Sequence, residues 1–254
     1  MHERNEAAQQ FSALYPVMND AARRRNRGLK TAAILREALG ERKIITILDI
    51  GCSNALLLDT VVEELVPVFA IGIDMDAAAA PPPNAKRAVL VGDAMALPLS
   101  SGSVDVVICN HTYEHVPYPQ QLFSEIERVL TRDGLVYFSA MNASWPIEPH
   151  YHLPFSHWLP QWIAKRILAA RGHPGGYLER PLTRRRLVDL VYAFEIHDYT
   201  IKVIADPKKY HASEIVRFPA FGPIYRIVAL ALYGLLPGYL WVLKKRAHSA
   251  PTLD

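Results

Sequence analysis

Hydrophobic and polar positions follow two alternating periods along this chain. Short apolar runs rich in β-branched residues end in an acid or a small residue, and segments with apolar residues three or four apart follow them. The first run, Ile45 to Ile50, leads through Gly51 into an apolar segment that begins at Leu56. Four further strands are predicted at 68–74, 88–91, 104–109 and 135–139. Because strands and helices alternate, we expect a parallel sheet that helices cover on both faces.

The same patterns predict the elements on either side of these five strands. A helix precedes the first strand and stops at Gly40, and another follows Pro119 and stops at Asp133-Gly134. Three consecutive prolines at 81–83 replace the helix expected between the second and third strands. Thr183 is expected to cap a helix that extends to Phe194, and two more strands are predicted near 196–204 and 239–244 with an apolar helix between them.

Periodicity fails between Met141 and Pro181, where aromatic, histidine and proline residues are frequent. A long irregular stretch inside a compact domain is usually functional. We therefore divide a single domain, residues 1–254, into an N-terminal helical segment (1–42), a ligand-binding core (43–140), an insertion that covers a second ligand (141–182), and C-terminal helices and strands (183–254).

Composition narrows the class of protein. Half of the 254 residues are hydrophobic and 21% are charged, which excludes a disordered chain. The formal charge of +3 is too small for a nucleic-acid-binding signature. Two cysteines, Cys52 and Cys109, cannot form a disulfide framework, and the acidic N-terminus lacks the apolar core of a secretory signal. We expect a cytoplasmic protein.

Candidate chemistry lies where the predicted strands end. Gly51 allows a ligand to approach the backbone, and the helix that follows presents free N–H groups to the same place. Asp74 ends the second strand about 20 residues later, the interval at which a carboxylate reaches ribose hydroxyls in sheets of this type. A nucleotide-like ligand is therefore expected at this edge.

An ordered series of motifs resembles the class I S-adenosylmethionine-dependent methyltransferases, closest to the type-11 group that includes quinone-biosynthesis enzymes. The series comprises Asp49-x-Gly51, Asp74, Gly92-Asp93-Ala94 with Leu97-Pro98, Val104-Asp105-Val106-Val107, Glu114-His115-Val116, and Glu127-Arg128-Val129-Leu130 before Gly134. The resemblance covers roughly residues 45 to 140. It departs from the family where Ser53 and Ala55 occupy positions that are usually glycine. It implies a Rossmann-like, mostly parallel seven-stranded sheet whose last strand is antiparallel.

The resemblance also implies a set of residues around S-adenosylmethionine. Those near its methionine part would be Asp49, Gly51 and Ser53, with Asn110 holding the amino group. Asp74 would accept hydrogen bonds from both ribose hydroxyls. Around the adenine, Met75 would pack on the ring, Asp93 would accept from the exocyclic amine and Ala94 would donate a backbone N–H.

On the acceptor side, several groups could remove a proton from the atom that becomes methylated. Histidine suits this task because its ordinary pKa is near neutrality. The candidates are His111, Tyr113, His115, His150 and His152. The acceptor is expected to be a small molecule, a glycan or a lipid-linked compound, methylated on oxygen. The stretch from Glu148 to Pro160 also resembles methyltransferases associated with cell-surface polysaccharides.

Three other interpretations of the sequence stay open. His111-x-x-Glu114-His115 with His150-x-His152 resembles the Glu-x-x-Glu-His…His metal set of RNA-end methyltransferases, so the use of a metal is undecided. A degenerate glycine turn is also compatible with a non-catalytic binder of S-adenosylmethionine or a nucleotide. A dehydrogenase fits less well, because Asp49 with a single glycine matches the methyltransferase turn.

Three apolar or basic stretches suggest contact with a membrane surface. The run from Ile227 to Leu236 is almost wholly apolar but too short to span a bilayer. Trp158 and Trp162 lie near Lys165, Arg166 and Arg171, and Lys244-Lys245-Arg246 would add attraction to anionic lipid. The alternative is a buried helix before a final strand. The basic run Arg23-Arg24-Arg25 with Arg27 is either a solvated helix face or a contact for an anionic group.

Overall fold

The computed structural model describes residues 20–147, 153–155, 158–171, 179–213 and 222–246, with only the backbone described at 161, 222 and 223. Its α-helices are α1 (Ala21–Leu39), α2 (Leu56–Leu65), α3 (Pro119–Val129), α4 (Gln161–Ala170), α5 (Arg184–Leu190), α6 (Thr200–Ala205) and α7 (Gly222–Ala231). Its strands are β1 (Thr46–Ile50), β2 (Phe69–Asp74), β3 (Arg87–Val91), β4 (Val104–Asn110), β5 (Leu130–Met141), β6 (Phe194–Asp198) and β7 (Gly238–Lys245). A short 3₁₀ turn, Tyr233–Leu235, precedes β7.

All seven strands form one sheet in the order β3-β2-β1-β4-β5-β7-β6. The pairs among β1 to β5 are parallel, whereas β7 is antiparallel to both of its neighbours. The expectation of a Rossmann-like, mostly parallel seven-stranded sheet with an antiparallel last strand is confirmed. The strand order switches direction between β1 and β4, and in sheets of this type ligands bind beyond the carboxyl ends of the strands at such a switch point.

Apolar side chains from the two faces of the sheet form two separate cores. One core joins the sheet to α3 and α5, and includes Phe123, Phe138 and Trp241. The other joins it to α1, α2 and α6, and includes Ile34, Leu58 and Val203. Successive residues of β1 enter opposite cores, because side chains alternate across a strand. Helices therefore cover both faces, as the sequence predicts.

Helix α1 packs so closely on α2 that one position between them has no room for a side chain. A Cβ at Gly28 would lie 2.6 Å from the Cβ of Thr60. Asp20 caps the start of α1 by accepting a hydrogen bond from the N–H of Arg23. The packing of Gly28 on Thr60 holds α1 against α2, which begins just after the loop that follows β1.

The connection between β2 and β3 contains no helix, as the three prolines predict. The buried side chain of Arg87 instead fastens β3 to α2, with its Nε 2.6 Å from Asp59 Oδ1. This connection places only irregular backbone beside the carboxyl end of β2.

Several predicted boundaries are wrong. Helix α3 ends at Val129, and residues 130–134 extend β5 by pairing with β4 across an irregularity. Phe194 begins β6 instead of ending a helix, and the second half of the strand predicted at 196–204 is helix α6. Thr183 does precede α5, but its side chain makes no capping hydrogen bond.

Candidate active site

The turn after β1 is built around Gly51, whose φ of 76° lies in the left-handed region. Its N–H donates to the carbonyl of Ile73, 2.7 Å away, which ties the turn to β2. A Cβ at this position would lie 2.8 Å from Thr112 Oγ1, and that hydroxyl donates to the carbonyl of Ile50 at 2.8 Å. Gly51 therefore lets the loops after β1 and β4 meet at the carboxyl edge of the sheet.

Ser53 and Ala55, which stand where the resembling family usually has glycine, both adopt left-handed backbone, with φ of 49° and 57°. A Cβ raises the energy of this conformation by roughly 1–2 kcal/mol per residue. The turn thus keeps the shape that glycine favours, although side chains are present. Ala55 immediately precedes α2 and makes no side-chain cap, and the first N–H group of α2, that of Leu56, donates instead to Asn54 Oδ1 at 3.4 Å.

Asp74 lies at the carboxyl end of β2 and holds this turn in place. Its Oδ2 accepts a hydrogen bond from the N–H of Ser53 at 2.6 Å, and its Oδ1 accepts from the N–H of Asp76 at 2.9 Å. Burial raises the pKa of this carboxyl group, while the backbone N–H groups oppose the rise. Asp74, the residue predicted to bind the ribose, therefore lies in the crevice beside the turn that a cofactor would approach.

Asp49 is almost fully buried beneath the same turn. Burial, together with the negative charge of Asp74, raises the pKa of Asp49 to about 8. The positive charge of Arg24 opposes this rise. A buried carboxylate in this state favours any cation that enters beside it.

Arg24 of α1 is a site residue that the sequence interpretation did not assign. Its Nη2 donates to Ser53 Oγ at 3.2 Å. Burial and then the neighbouring Arg27 lower the pKa of its guanidinium, whereas Asp49 and Asp74 raise it. Arg23 and Arg25 of the same basic run instead form exposed ion pairs with Asp20 and Glu63. Arg24 therefore enters the crevice while Arg23 and Arg25 remain on a solvated face, and Arg27 is half-buried.

The remaining predicted cofactor residues line the same edge of the sheet. Asp93 follows β3, and its Oδ1 accepts from the N–H of Met95 at 2.8 Å, so it also closes its own turn. Ala94 is buried. Met75 and Asn110, at the ends of β2 and β4, are half-buried.

A hydrogen-bonded chain of three side chains lies at the ends of β4 and β5. His111 Nδ1 lies 3.3 Å from Glu114 Oε1, and its Nε2 lies 3.1 Å from Ser139 Oγ. Although burial opposes ionisation of Glu114, the hydrogen bond and charge of His111, with the charge of His115, hold its pKa below the usual value. An ionised Glu114 can only accept a hydrogen bond, so Nδ1–H of His111 is the donor and the lone pair of the neutral ring lies on Nε2.

The other acceptor-side candidates differ in their surroundings. The buried hydroxyl of Tyr113 donates to the carbonyl of Met141 and accepts from the N–H of Leu182, both at 2.9 Å, and burial raises its pKa. Tyr113 therefore fastens the site and is not suited to accept a proton. His115 is half-buried in the turn after β4. His150 and His152 lie outside the described residues.

Metal-binding side chains are not clustered in the part of the chain that the structure describes. It contains no group of three or more His, Cys, Asp or Glu that could hold a metal ion. His111 and Glu114 contact each other, and the later pair of the possible metal set, His150 and His152, is not described.

Comparison with known proteins gives one family match and several partial relatives. Residues 48–138 match the methyltransferase domain family. An uncharacterised methyltransferase of Mycobacterium bovis is 40% identical over 81 residues, and one of Mycobacterium tuberculosis is 38% identical over 81 residues. These matches cover 32% of this chain and 32% of each relative. The chain thus matches about a third of the length of these curated relatives.

Solved structures share the fold over much more of the chain. The plantazolicin methyltransferase BpumL, solved with a substrate analogue and S-adenosylhomocysteine, has a TM-score of 0.58 at 15% identity, over 96% of this chain and 95% of that one. A putative methyltransferase in complex with the Trm112 activator of Haloferax volcanii has a TM-score of 0.55 at 16% identity, over 91% and 96%. At these identities the likeness establishes the fold alone.

Proposed function

We propose that the protein transfers a methyl group from S-adenosylmethionine to an acceptor, a function supported by the match of residues 48–138 to the methyltransferase domain family. The observation that supports this most is the crevice between β1 and β4. Asp49, Asp74 and Arg24 meet there around a turn whose backbone is open to a ligand.

The charges of this crevice suit the cofactor. Its methionine part carries an ammonium and a carboxylate, and its sulfur is positively charged. Asp49, which is buried with a raised pKa, becomes easier to ionise when an ammonium group lies beside it. Arg24 is the group suited to the carboxylate, since it already lies between two acids at the mouth of the crevice. Asp74 would exchange part of its contact with Ser53 for the ribose hydroxyls.

When bound, S-adenosylmethionine supplies an electrophilic methyl group on a sulfonium. The protein then has to align an acceptor oxygen and remove its proton. We assign the proton to Nε2 of His111, whose tautomer Glu114 fixes through Nδ1. The hydroxyl of Ser139 donates to this Nε2, so the proton would pass through it: Ser139 Oγ would take the acceptor's proton as its own proton moves to Nε2. The bound sulfonium would supply the methyl carbon to the acceptor oxygen and keep the electron pair of the sulfur–methyl bond, while His111 would hold the released proton.

The acceptor belongs to one of three classes under this proposal, namely small molecules, glycans or lipid-linked compounds. The imidazole base supports methylation on oxygen as part of this proposal, because a hydroxyl has to give up its proton as it is methylated. His115, His150 and His152 remain further candidates for contact with the acceptor. The single domain spanning 1–254, with 141–182 covering the acceptor, is part of the same proposal.

The proposal is tested by incubating the protein with S-adenosylmethionine carrying a labelled methyl group and with lipid, glycan and small-molecule extracts. We expect label in one product class, and a loss of at least about a hundredfold for His111→Ala, in line with the usual contribution of a general base. Cofactor affinity should be unchanged in that variant. If His111→Ala loses cofactor binding with its fold intact, the assignment of His111 to the acceptor is wrong.

Two matched arginine variants test the assignment of Arg24 to cofactor binding. Arg24→Gln should weaken binding of S-adenosylhomocysteine by roughly 10- to 100-fold, the range for a hydrogen bond between charged groups. Arg25→Gln, one residue away, removes only an exposed ion pair with Glu63 and should leave affinity unchanged. Equal affinities in the two variants would remove Arg24 from the site. Tight cofactor binding with no labelled product from any extract would favour the non-catalytic binder instead.

A further inference from the structure

Helix α7 exposes an apolar stripe that no described part of the chain covers. Ile224, Ile227 and Val228 lie on one side of the helix at spacings of three and four, and Ile227 is 68% exposed. Leu230 and the following Leu232 and Leu235 are also about half exposed. Water-exposed helices normally carry polar residues on their outer side. The expectation of a buried helix at this place is therefore wrong for most of its side chains.

A second exposed apolar group surrounds the start of α4. It consists of Phe155, Trp158, Leu159 and Trp162, and Trp162 is 62% exposed. The guanidinium of Arg166 lies 5.5 Å from the centre of the Trp162 ring. Tryptophan and arginine are side chains suited to the boundary between lipid and water.

The two groups are fastened to consecutive residues at the carboxyl end of β5. Asn142 Nδ2 donates to the carbonyls of Gly234 and Leu236, at 2.9 and 2.8 Å, and so holds the turn after α7. The indole N–H of Trp158 donates to the carbonyl of Ala143 at 2.7 Å. Ser139 of the candidate site precedes Asn142 by three residues, or about 10 Å along a strand. We call the two groups together the apolar rim.

The charged side chains of the rim's own segments are all positive, although the carboxylate of Asp198 accepts a hydrogen bond from the hydroxyl of Tyr233. Within the described residues, 158–171 and 222–246 contain no Asp or Glu. Arg166, Arg171 and Arg226 are exposed, and so are Arg184, Arg185 and Arg186 of α5. The guanidinium of Arg184 lies 5.1 Å from the ring of Tyr233, which places the start of α5 beside the turn after α7. An apolar surface bordered by arginines is complementary to anionic lipid and not to a neutral apolar partner.

Lys244, Lys245 and Arg246, which the sequence interpretation added to this surface, lie elsewhere. They end β7, whose first residue is beside the apolar rim, so they lie at the opposite edge of the sheet. Lys245 Nζ donates to the carbonyl of Leu130, and Arg246 Nε to that of Phe194. Their role in lipid attraction is therefore not supported.

We infer that the apolar rim docks on an anionic bilayer, and that the acceptor is an amphiphile presented at the bilayer surface to the candidate site. The protein would lie on the membrane, because none of the described helices is long and apolar enough to cross one. The docking does not depend on whether the protein transfers a methyl group, whereas the choice of acceptor rests on the proposed function. The candidate site and the two hydrogen-bonded attachments of the rim share the carboxyl end of β5, so a head group can enter the site while the acyl chains stay in the bilayer.

Flotation with vesicles tests the docking. The probe is phosphatidylcholine vesicles containing phosphatidylglycerol, with pure phosphatidylcholine vesicles for comparison. We expect binding to the anionic vesicles that weakens with added salt, and a loss of at least about tenfold for the double variant Ile227→Glu, Leu230→Glu. Val68→Glu is the matched control, since Val68 is 71% exposed but lies before β2 at the opposite edge of the sheet. Its binding should equal that of the unchanged protein.

Three results would overturn the inference. The first is a protein that does not float at low salt with lipid in excess. The second is a double variant that binds vesicles as well as the unchanged protein. The third is self-association that the double variant abolishes, which would make the rim an interface between copies of the protein. Calorimetry with S-adenosylhomocysteine separates this inference from the proposed function. A double variant that binds the cofactor normally but no longer floats, and that methylates amphiphiles in detergent but not in vesicles, supports both proposals.

Discussion

At the level of single residues, the ionised form of Asp49 that would bind the cofactor's ammonium group is also the form that destabilises the folded protein. Its pKa is about 8 in the folded protein, mainly because of burial, against an ordinary value of 3.8. The folded state therefore favours the protonated form, and ionisation lowers stability progressively as pH rises from about 4 to about 8.

We expect Asp49→Asn to be more stable than the unchanged protein at pH 8, by on the order of 2–3 kcal/mol, with the difference shrinking as pH falls towards 4. The free energy of unfolding in urea at several pH values measures this. The same variant should lose cofactor affinity, and in the unchanged protein affinity should rise with pH up to about 8. A variant whose stability relative to the unchanged protein does not depend on pH would show that Asp49 titrates normally.

A second prediction at the level of single residues concerns the effect of Gly51 on stability. Gly51→Ala should destabilise the protein by about 2–3 kcal/mol, of which 1–2 come from the left-handed backbone and about 1 from the displaced hydrogen bond of Thr112. Gly102→Ala is the control, because Gly102 also has positive φ but has no atom within 4 Å of the added Cβ. Chemical denaturation of both variants compares them. Equal losses would mean that Thr112 moves aside freely.

The sequence predicts acids at strand ends better than it predicts which basic residue joins them. Asp49 and Asp74 were found because they follow apolar runs at a recognisable spacing. Arg24 was not, because Arg23, Arg24 and Arg25 look alike in the sequence. Only the close contact of Gly28 with Thr60, which depends on how α1 packs on α2, decides which of them enters the crevice.

At the level of elements, Glu37 joins α1 to the end of α6. Its carboxylate accepts from the Nζ groups of Lys202 and Lys209 and from the hydroxyl of Tyr210. Burial opposes ionisation, but these three donors lower the pKa of Glu37 to about 2 from an ordinary 4.5. The resulting stability is fully present above about pH 4.5 and is lost as pH falls towards 2.

We expect Glu37→Gln to lose about 1 kcal/mol of stability at pH 7 and less at pH 3, a small figure because the group is partly solvated. Urea unfolding at the two pH values measures the change. Glu64→Gln is the comparison, since Glu64 forms an exposed ion pair with Arg36 and should contribute less. A loss that is the same at both pH values would mean that Glu37 acts through packing.

The type of each element was predicted well where the period of apolar residues was clear. It was predicted poorly where pairing with a strand distant in sequence determines whether a residue is helix or strand. Strands β1 to β4 are short β-branched runs between turns, and their positions hold. Residues 130–134 are compatible with the last turn of a helix, and they become strand because Leu130 pairs with Val104. Phe194 fits the helical stripe of α5, yet it starts β6 because β7 lies beside it. Such long-range pairing leaves no local signal.

At the level of the whole molecule, a ligand that binds only the folded state should raise the unfolding temperature. S-adenosylhomocysteine at 100 times its dissociation constant adds about 2.7 kcal/mol, or roughly 5–10 °C for a chain of this size. NAD at the same concentration is the control and should cause no shift. A shift with NAD instead would favour the dehydrogenase interpretation.

The position of β7 determines when the sheet can be completed during synthesis. Among the residues that the structure describes, β6 pairs with β7 alone, and β7 lies between β6 and β5. The free edges of β5 and β6 therefore stay unpaired until the chain has been synthesised as far as Lys245. Strands β1 to β5 can assemble earlier, in the order in which they emerge. The nascent chain therefore carries an open edge on β5 through the translation of more than a hundred residues, and we expect this edge to be where chaperones bind and where aggregation of interrupted chains begins.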